Sequence, residues 1–184
     1  MPEWQHFTFE RDKFRQLVLY FSKRGADEGL VIGSTKLNKL LFFTDFRAYA
    51  ETGVPVTGAR YQRLEFGPAA RAMLPVRNEM VEELGEAHFA DRGAEDWNAV
   101  LVPDVEPDLS LFSEEELRIA DAVFEELREF NAKGVSDYAH YRSAGWQVIE
   151  DGEDIPYESA FCSTDPAPPE AIEMGRQLAS TYRH

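Results

Sequence analysis

The chain has 184 residues, of which 43% are apolar and 29% charged, enough for one domain with a real core and too apolar for global disorder. Its formal net charge of −15 is unevenly placed: residues 1–80 carry 12 Lys and Arg against 9 Asp and Glu, and residues 81–184 carry 7 against 25, so +3 and −18 sum to −15. A body this acidic repels phosphate backbones, which argues against nucleic acid as the main partner and leaves solubility or a basic partner protein as the use of the charge.

In chain order, the opening MPEWQHFTFERDKF lacks a basic stretch followed by an apolar run, so it does not read as a signal peptide. Residues 9–24 place Phe14, Leu17, Val18 and Phe21 at helical spacing, and Gly25 is expected to close that helix. Ser34 or Thr35 is expected to cap a second helix that runs to about Thr52 and stops at Gly53. After the turn residues 54–58, Arg60 to Leu64 reads as a strand with Tyr61, Arg63 and Glu65 on one face. Gly67-Pro68 breaks it and is expected to start a third helix over 68–84, kinked or split at Pro75.

Residues 86–103 read as a hairpin, with Asp91-Arg92-Gly93 in its turn and 98–102 as the return strand. Ser113-Glu114-Glu115-Glu116 is a capping box that opens a long amphipathic helix ending near Asn131. Ser136 is expected to cap a short helix carrying His140, with Trp146 just beyond it. Residues 150–173 hold eight acids and no Lys or Arg, and Pro166, Pro168 and Pro169 lead to a last helix at about 169–182. No run approaches the roughly 20 apolar residues of a membrane span. A single cysteine, Cys162, gives no disulfide framework. The expected fold is mainly α (α+β), a compact helical domain with a small antiparallel sheet or hairpin. The expected layout is one domain over 1–165, with the 166–184 helix packed on it, in the cytoplasm.

The helix from Lys36 onward is apolar on nearly every face, which marks a buried element. On it Leu37, Leu40 and Leu41 share one face, Phe42, Phe46 and Tyr49 lie nearly opposite, and Lys36, Lys39 and Arg47 fall between. The cationic stems are expected to snorkel to the surface while Asp45 pairs locally. The other arrangement is a polar pocket made by Lys39, Asp45 and groups from the strand. Gly67 suits a backbone shape that larger residues resist, and a helix N-terminus behind it could receive an anion. His140 has no second His or Cys at ligand spacing, so neither a metal nor a cofactor is expected. Cys162 lies among acids, which raise a thiol's pKa, and the chain has no GxSxG, P-loop, HExxH or GxGxxG. No catalytic constellation emerges, and the chain is not expected to be an enzyme.

Taken together, Lys36-Leu37-xx-Leu40-Leu41, then Asp45-Phe46, Tyr61 and the Phe66-Gly67-Pro68 turn, then Ser136-xxx-His140-xxxxx-Trp146 and Ile155-Pro156 resemble a Panacea domain, the SocA-like antitoxin family. The resemblance spans about residues 9–162, with Phe43 and Thr44 falling within the region where the family's helix more often reads Tyr-Phe-Ala. It implies an antitoxin that binds and neutralises a toxin protein encoded by a neighbouring gene, or hands it to a protease, in a toxin–antitoxin, prophage or mobile-element setting. Specificity would then lie on variable surfaces. The acids Glu114, Glu115, Asp121, Glu125, Glu126 and Glu129, with Asp151, Glu153 and Asp154, are the candidate surface for a basic partner. Two rival readings remain: a small metal- or ligand-dependent enzyme centred on Lys39, Asp45, Tyr61 and His140, and a DNA-binding autorepressor using the basic first 80 residues.

Overall fold

A computed structural model describes residues 7–90 and 99–165, and in the tail residues 169, 170, 172–174 and 177. The chain runs α1 (Arg11–Asp27), α2 (Ser34–Thr52), β1 (Tyr61–Gln62), β2 (Ala69–Ala70), α3 (Met73–Glu82), β3 (Ala87–Phe89), β4 (Leu101–Pro103), α4 (Glu114–Leu127), α5 (Ala132–Arg142) and α6 (Ala144–Val148). Short 3₁₀ turns cover Leu109–Leu111 and Tyr157–Phe161. The fold is mainly α, with two antiparallel two-stranded sheets, β1–β2 and β3–β4.

The helix that reads as apolar all round is the centre of the molecule. Thirteen residues of α2 are buried, and the helix packs against α1, α4, α5, β2 and the 157–161 turn. Leu37, Leu40 and Leu41 are 0–1% exposed and Phe42 2%, so its opposite faces fill two sides of one core. α4 adds Ile119, Val123, Phe124 and Leu127 from a single stripe, and Phe21 of α1 stacks on Phe124 at 6.3 Å between ring centroids. Ser113 and Glu116 form the expected reciprocal capping box at its start.

Several boundaries differ from expectation for local reasons. Gly25 lies inside α1, where a Cβ would sit 2.2 Å from Ile32 Cγ1, so it permits close packing while Gly29, at φ +69°, turns the chain after the helix. Neither Ser34 nor Thr35 caps α2: Gly33 holds that position, and the Ser34 hydroxyl donates instead to the Ala99 carbonyl at 2.9 Å. The strand at 60–64 shortens to β1, because Arg63 to Pro68 form the loop that returns the chain to β2, with Tyr61 opposite Ala70 and Gln62 opposite Ala69. No helix starts at Pro68, so no helix N-terminus stands behind Gly67. Pro75 occupies the first turn of α3, where its absent N–H removes no helical bond and causes no break.

α4 ends at Leu127, and Asn131 rather than Ser136 caps the next helix, its side chain accepting from Gly134 N at 2.8 Å. Ser136 is inside α5, and its hydroxyl donates to the Ala132 carbonyl at 3.0 Å. The hairpin pairs β3 with β4 in antiparallel register. Its turn residues 91–93 and residue 98 lie outside the described residues, as do residues 1–6. In the tail, the described residues 169, 170, 172–174 and 177 are helical, and the rest of the expected last helix lies outside the described residues. Among the described residues, no helix is long and apolar enough to cross a membrane.

Candidate functional site

The structure divides the predicted motif residues between two places on α2. The first is a closed polar cluster around Asp45, which is 0% exposed. The residues after α2 fold back over it, and Thr57 donates to it twice, from its backbone N at 2.6 Å and from its hydroxyl at 2.5 Å. The Tyr61 hydroxyl donates to the same carboxylate at 2.7 Å, and the Tyr157 hydroxyl lies 3.4 Å away while donating to the Ala59 carbonyl at 2.7 Å. Burial pushes the Asp45 carboxyl up to about 6, opposed by the bonds from Thr57, Tyr61 and Tyr157. The rings of Phe46, Tyr61 and Tyr157 enclose it, Phe46 and Tyr157 stacking at 4.7 Å and Phe46 meeting Tyr61 edge-on at 5.9 Å. Pro156 opens the turn that brings Tyr157 in.

Six residues earlier on α2 lies the second place. Lys39 is 2% exposed and donates to the Pro68 carbonyl at 3.0 Å. Burial alone pulls its ammonium down to about 7. Gly67 lies directly above at φ +94°, where a Cβ would come within 2.9 Å of Lys39 Cε. Asn38 braces the same loop, accepting from Ala70 N and donating to the Ser34 carbonyl, each at 2.9 Å. Phe66 projects outward at 48% exposure, whereas Gly67 and Pro68 are buried.

His140 and Trp146 stack on one another at 3.9 Å, with the Arg63 guanidinium 4.7 Å from the Trp146 ring. Trp146 Nε1 donates to the Leu64 carbonyl at 2.9 Å, which clamps the 63–68 loop from its other side. Burial lowers the His140 pKa, and the Lys39 charge adds to that, opposed by a hydrogen bond to the Glu65 backbone. So His140 accompanies Lys39, while Tyr61 accompanies Asp45. The four residues that a single catalytic centre would need are split between an enclosed cluster and a loop support.

Lys36 has a third role. At 4% exposure its ammonium donates to the Arg128 carbonyl at 2.6 Å, capping the C-terminus of α4, where a cation is favoured. The expected snorkelling therefore fails for Lys36 and Lys39, whose ammonium groups end on backbone carbonyls. It holds for Arg47, which is 30% exposed and paired with Glu126.

Many of the acids proposed as a partner surface also bind within the chain. Asp121 and Glu125 pair with Arg24, Glu126 with Arg47, Glu115 with Arg118 and Glu129 with Arg128. Asp154 receives both Arg60 and Arg71, and Asp151 receives Arg63. Glu153 lends its backbone carbonyl to Arg63 N at 2.9 Å, and Glu114 is an exposed residue of the first turn of α4. Sequence reasoning missed Thr57 and Tyr157 as ligands of Asp45. Their positions in a turn and after a proline carry no periodic signal, and only the chain's return over α2 brings them together.

This is a small, mainly helical domain whose buried polar residues, Lys36, Lys39 and Asp45 among them, bond within its own interior while its ion pairs lie toward the surface. The chain belongs to the family described as Antitoxin SocA-like, Panacea domain, whose model matches residues 37–147. No curated protein and no solved structure matches the chain.

Proposed function

We propose that this protein is a non-enzymatic antitoxin that binds and neutralises a toxin encoded by a neighbouring gene, in the cytoplasm. Handing the toxin to a protease is a second route to the same end. Membership of the SocA-like family over residues 37–147 is the observation that carries the reading. The burial of Leu37, Lys39, Leu40, Asp45 and Tyr61 supports it further, because it leaves these motif residues to the scaffold and recognition to what surrounds them. On the acidic side, Glu129 at 83% and Asp151 at 77% side-chain exposure keep most of their surface open for a basic partner. The enclosed Asp45 offers no route for a substrate.

Co-expression with the product of the adjacent gene is the test. Growth arrest by that product alone, relieved by this chain and accompanied by a complex on co-purification, is the expected result. A harmless neighbour, or a toxic one that this chain does not relieve, would refute the reading. Loss of toxin in a protease-competent strain but not in a protease-deficient one would select the adaptor route.

A further inference from the structure

A cavity of about 210 Å³ opens between the N-terminal half of α2, the 63–68 loop and α3. Its charge is opposite to that of the protein. In a chain of net charge −15, the described residues lining it include three cations, Lys39, Arg71 and Arg77, and no carboxylate. Lys39 and Arg77 are each 2% exposed, so both cations are built into the wall. The Lys39 ammonium has three N–H donors and gives one to the Pro68 carbonyl. A buried ammonium with only carbonyl contact lacks the counter-charge that would offset its desolvation. Arg71 is already matched by Asp154 at 2.6 Å, and Arg77 is engaged within the fold, donating to the Ser34 hydroxyl at 2.9 Å and lying 4.9 Å from the Phe89 ring. Lys39 is therefore the cation that addresses the cavity, which suits a monoanion better than a phosphate.

The other wall is apolar and open. Leu64, Phe66 and Leu74 are 41%, 48% and 58% exposed, and all three line the cavity. Apolar side chains gathered around a buried cation form an amphipathic recess rather than a scatter of surface residues. The volume lies below the roughly 300–1,000 Å³ of sites for drug-sized ligands, which limits an occupant to about one ring or short aliphatic group beside its charge.

We infer that this cavity binds a small monocarboxylate carrying an apolar group of side-chain size, with the carboxylate toward Lys39 and the apolar body against Leu64, Phe66 and Leu74. The inference does not depend on the antitoxin reading. Such an acid could be a free small molecule or the C-terminal residue of a peptide, and the two share the same chemistry at the site.

Calorimetric or NMR titration of the full chain with phenylacetate, N-acetyl-phenylalanine and N-acetyl-phenylalaninamide tests it. At least one of the two acids should saturate, and the amide should bind about tenfold or more weakly, as expected when a charge-assisted bond is lost. Tighter binding of N-acetyl-phenylalanine would identify a peptide C-terminus, and tighter binding of phenylacetate a free acid. Lys39→Met should abolish binding. Because that change sits in the core, Leu74→Glu on the exposed rim is the second variant: it should keep the wild-type melting temperature and weaken binding by about tenfold through like-charge repulsion. No saturation by either acid up to about 10 mM, equal binding of the amide, or unchanged affinity in a folded Leu74→Glu variant would overturn the inference.

Discussion

Replacing Asp45 with Asn isolates the electrostatic cost of the closed cluster. Burial raises the folded-state pKa of Asp45 from 3.8 to about 6. Between those values the folded protein holds a proton that the unfolded chain releases, so stability falls as pH rises through that window. The full difference is worth ~3 kcal/mol at about 1.4 kcal/mol per pKa unit, and it is present above about pH 7. About half of it, roughly 1–2 kcal/mol, should develop between about pH 5 and pH 7.5. Asn keeps the planar shape and one carbonyl acceptor for Thr57 and Tyr61 but does not titrate. Urea unfolding of wild type and Asp45→Asn at both pH values gives two stability differences, and subtraction cancels the titration of the surface acids. The difference should move in favour of Asn by about 1–2 kcal/mol at the higher pH. A difference that does not change with pH, or one that moves toward Asp, would refute a raised folded-state pKa and the dry environment invoked to explain it.

Complete removal of the Asp45 carboxylate is a different perturbation. Asp45→Ala leaves the Thr57 and Tyr61 donors buried without their acceptor and should cost about 3–5 kcal/mol, against about 1 kcal/mol or less for Glu126→Ala, whose pairs lie at the surface. Equal melting temperatures for the two would mean that Asp45 is not enclosed. Gly67→Val must hold a β-branched residue at φ +94° against the Lys39 side chain, so the variant should lose at least about 2 kcal/mol or fail to fold, as read by circular dichroism and thermal melting. Lys36→Met removes the cation from the end of α4 and leaves the Arg128 carbonyl without its donor. A loss of about 1–2 kcal/mol in denaturant midpoint is expected, and no loss would place that ammonium in solvent.

The extent of this fold that was legible in the sequence follows from the kind of signal each part carries. The all-round apolar pattern of residues 37–49 marked α2 as the buried centre, because a helix surrounded on every side has no polar face to spare. The single stripe and capping box of α4 were equally readable, since both depend on residues within five positions of one another. The destinations of Lys36 and Lys39 were not. Helical geometry placed both between the aromatic and aliphatic faces, but only the arrival of the α4 C-terminus and the 63–68 loop determines that they end on carbonyls. The same limit applies to Ser34, Ser136 and Pro68. Each has a strong local preference for a helix start, but Ser34 is drawn to the Ala99 carbonyl and Pro68 into a turn held by Lys39, while Ser136 loses the cap to Asn131, which starts the helix a turn earlier.

The charge imbalance between the two halves also changes meaning on folding. Read as a line, the sequence joins a mildly basic segment to a strongly acidic one. In space the two are interleaved: Lys13 meets Glu116, Arg24 meets Asp121 and Glu125, Arg47 meets Glu126, and Arg60 and Arg71 meet Asp154. Each such exposed pair contributes only about 0–1 kcal/mol, so the network is a weak source of stability. Its larger effect is on what the protein can attract. The cations of α1 that a DNA-binding reading needs each pair with an acid, Arg11 with Glu79 and Lys13, Arg15, Lys23 and Arg24 with acids of the second half, so that helix presents no free basic stripe to follow a phosphate backbone. The surplus negative charge stays outside, while the cations retained within the fold, Lys36, Lys39 and Arg77, lie beneath its surface. A protein arranged this way would draw basic partners to its exterior and admit an anion only where its interior opens, beside Lys39.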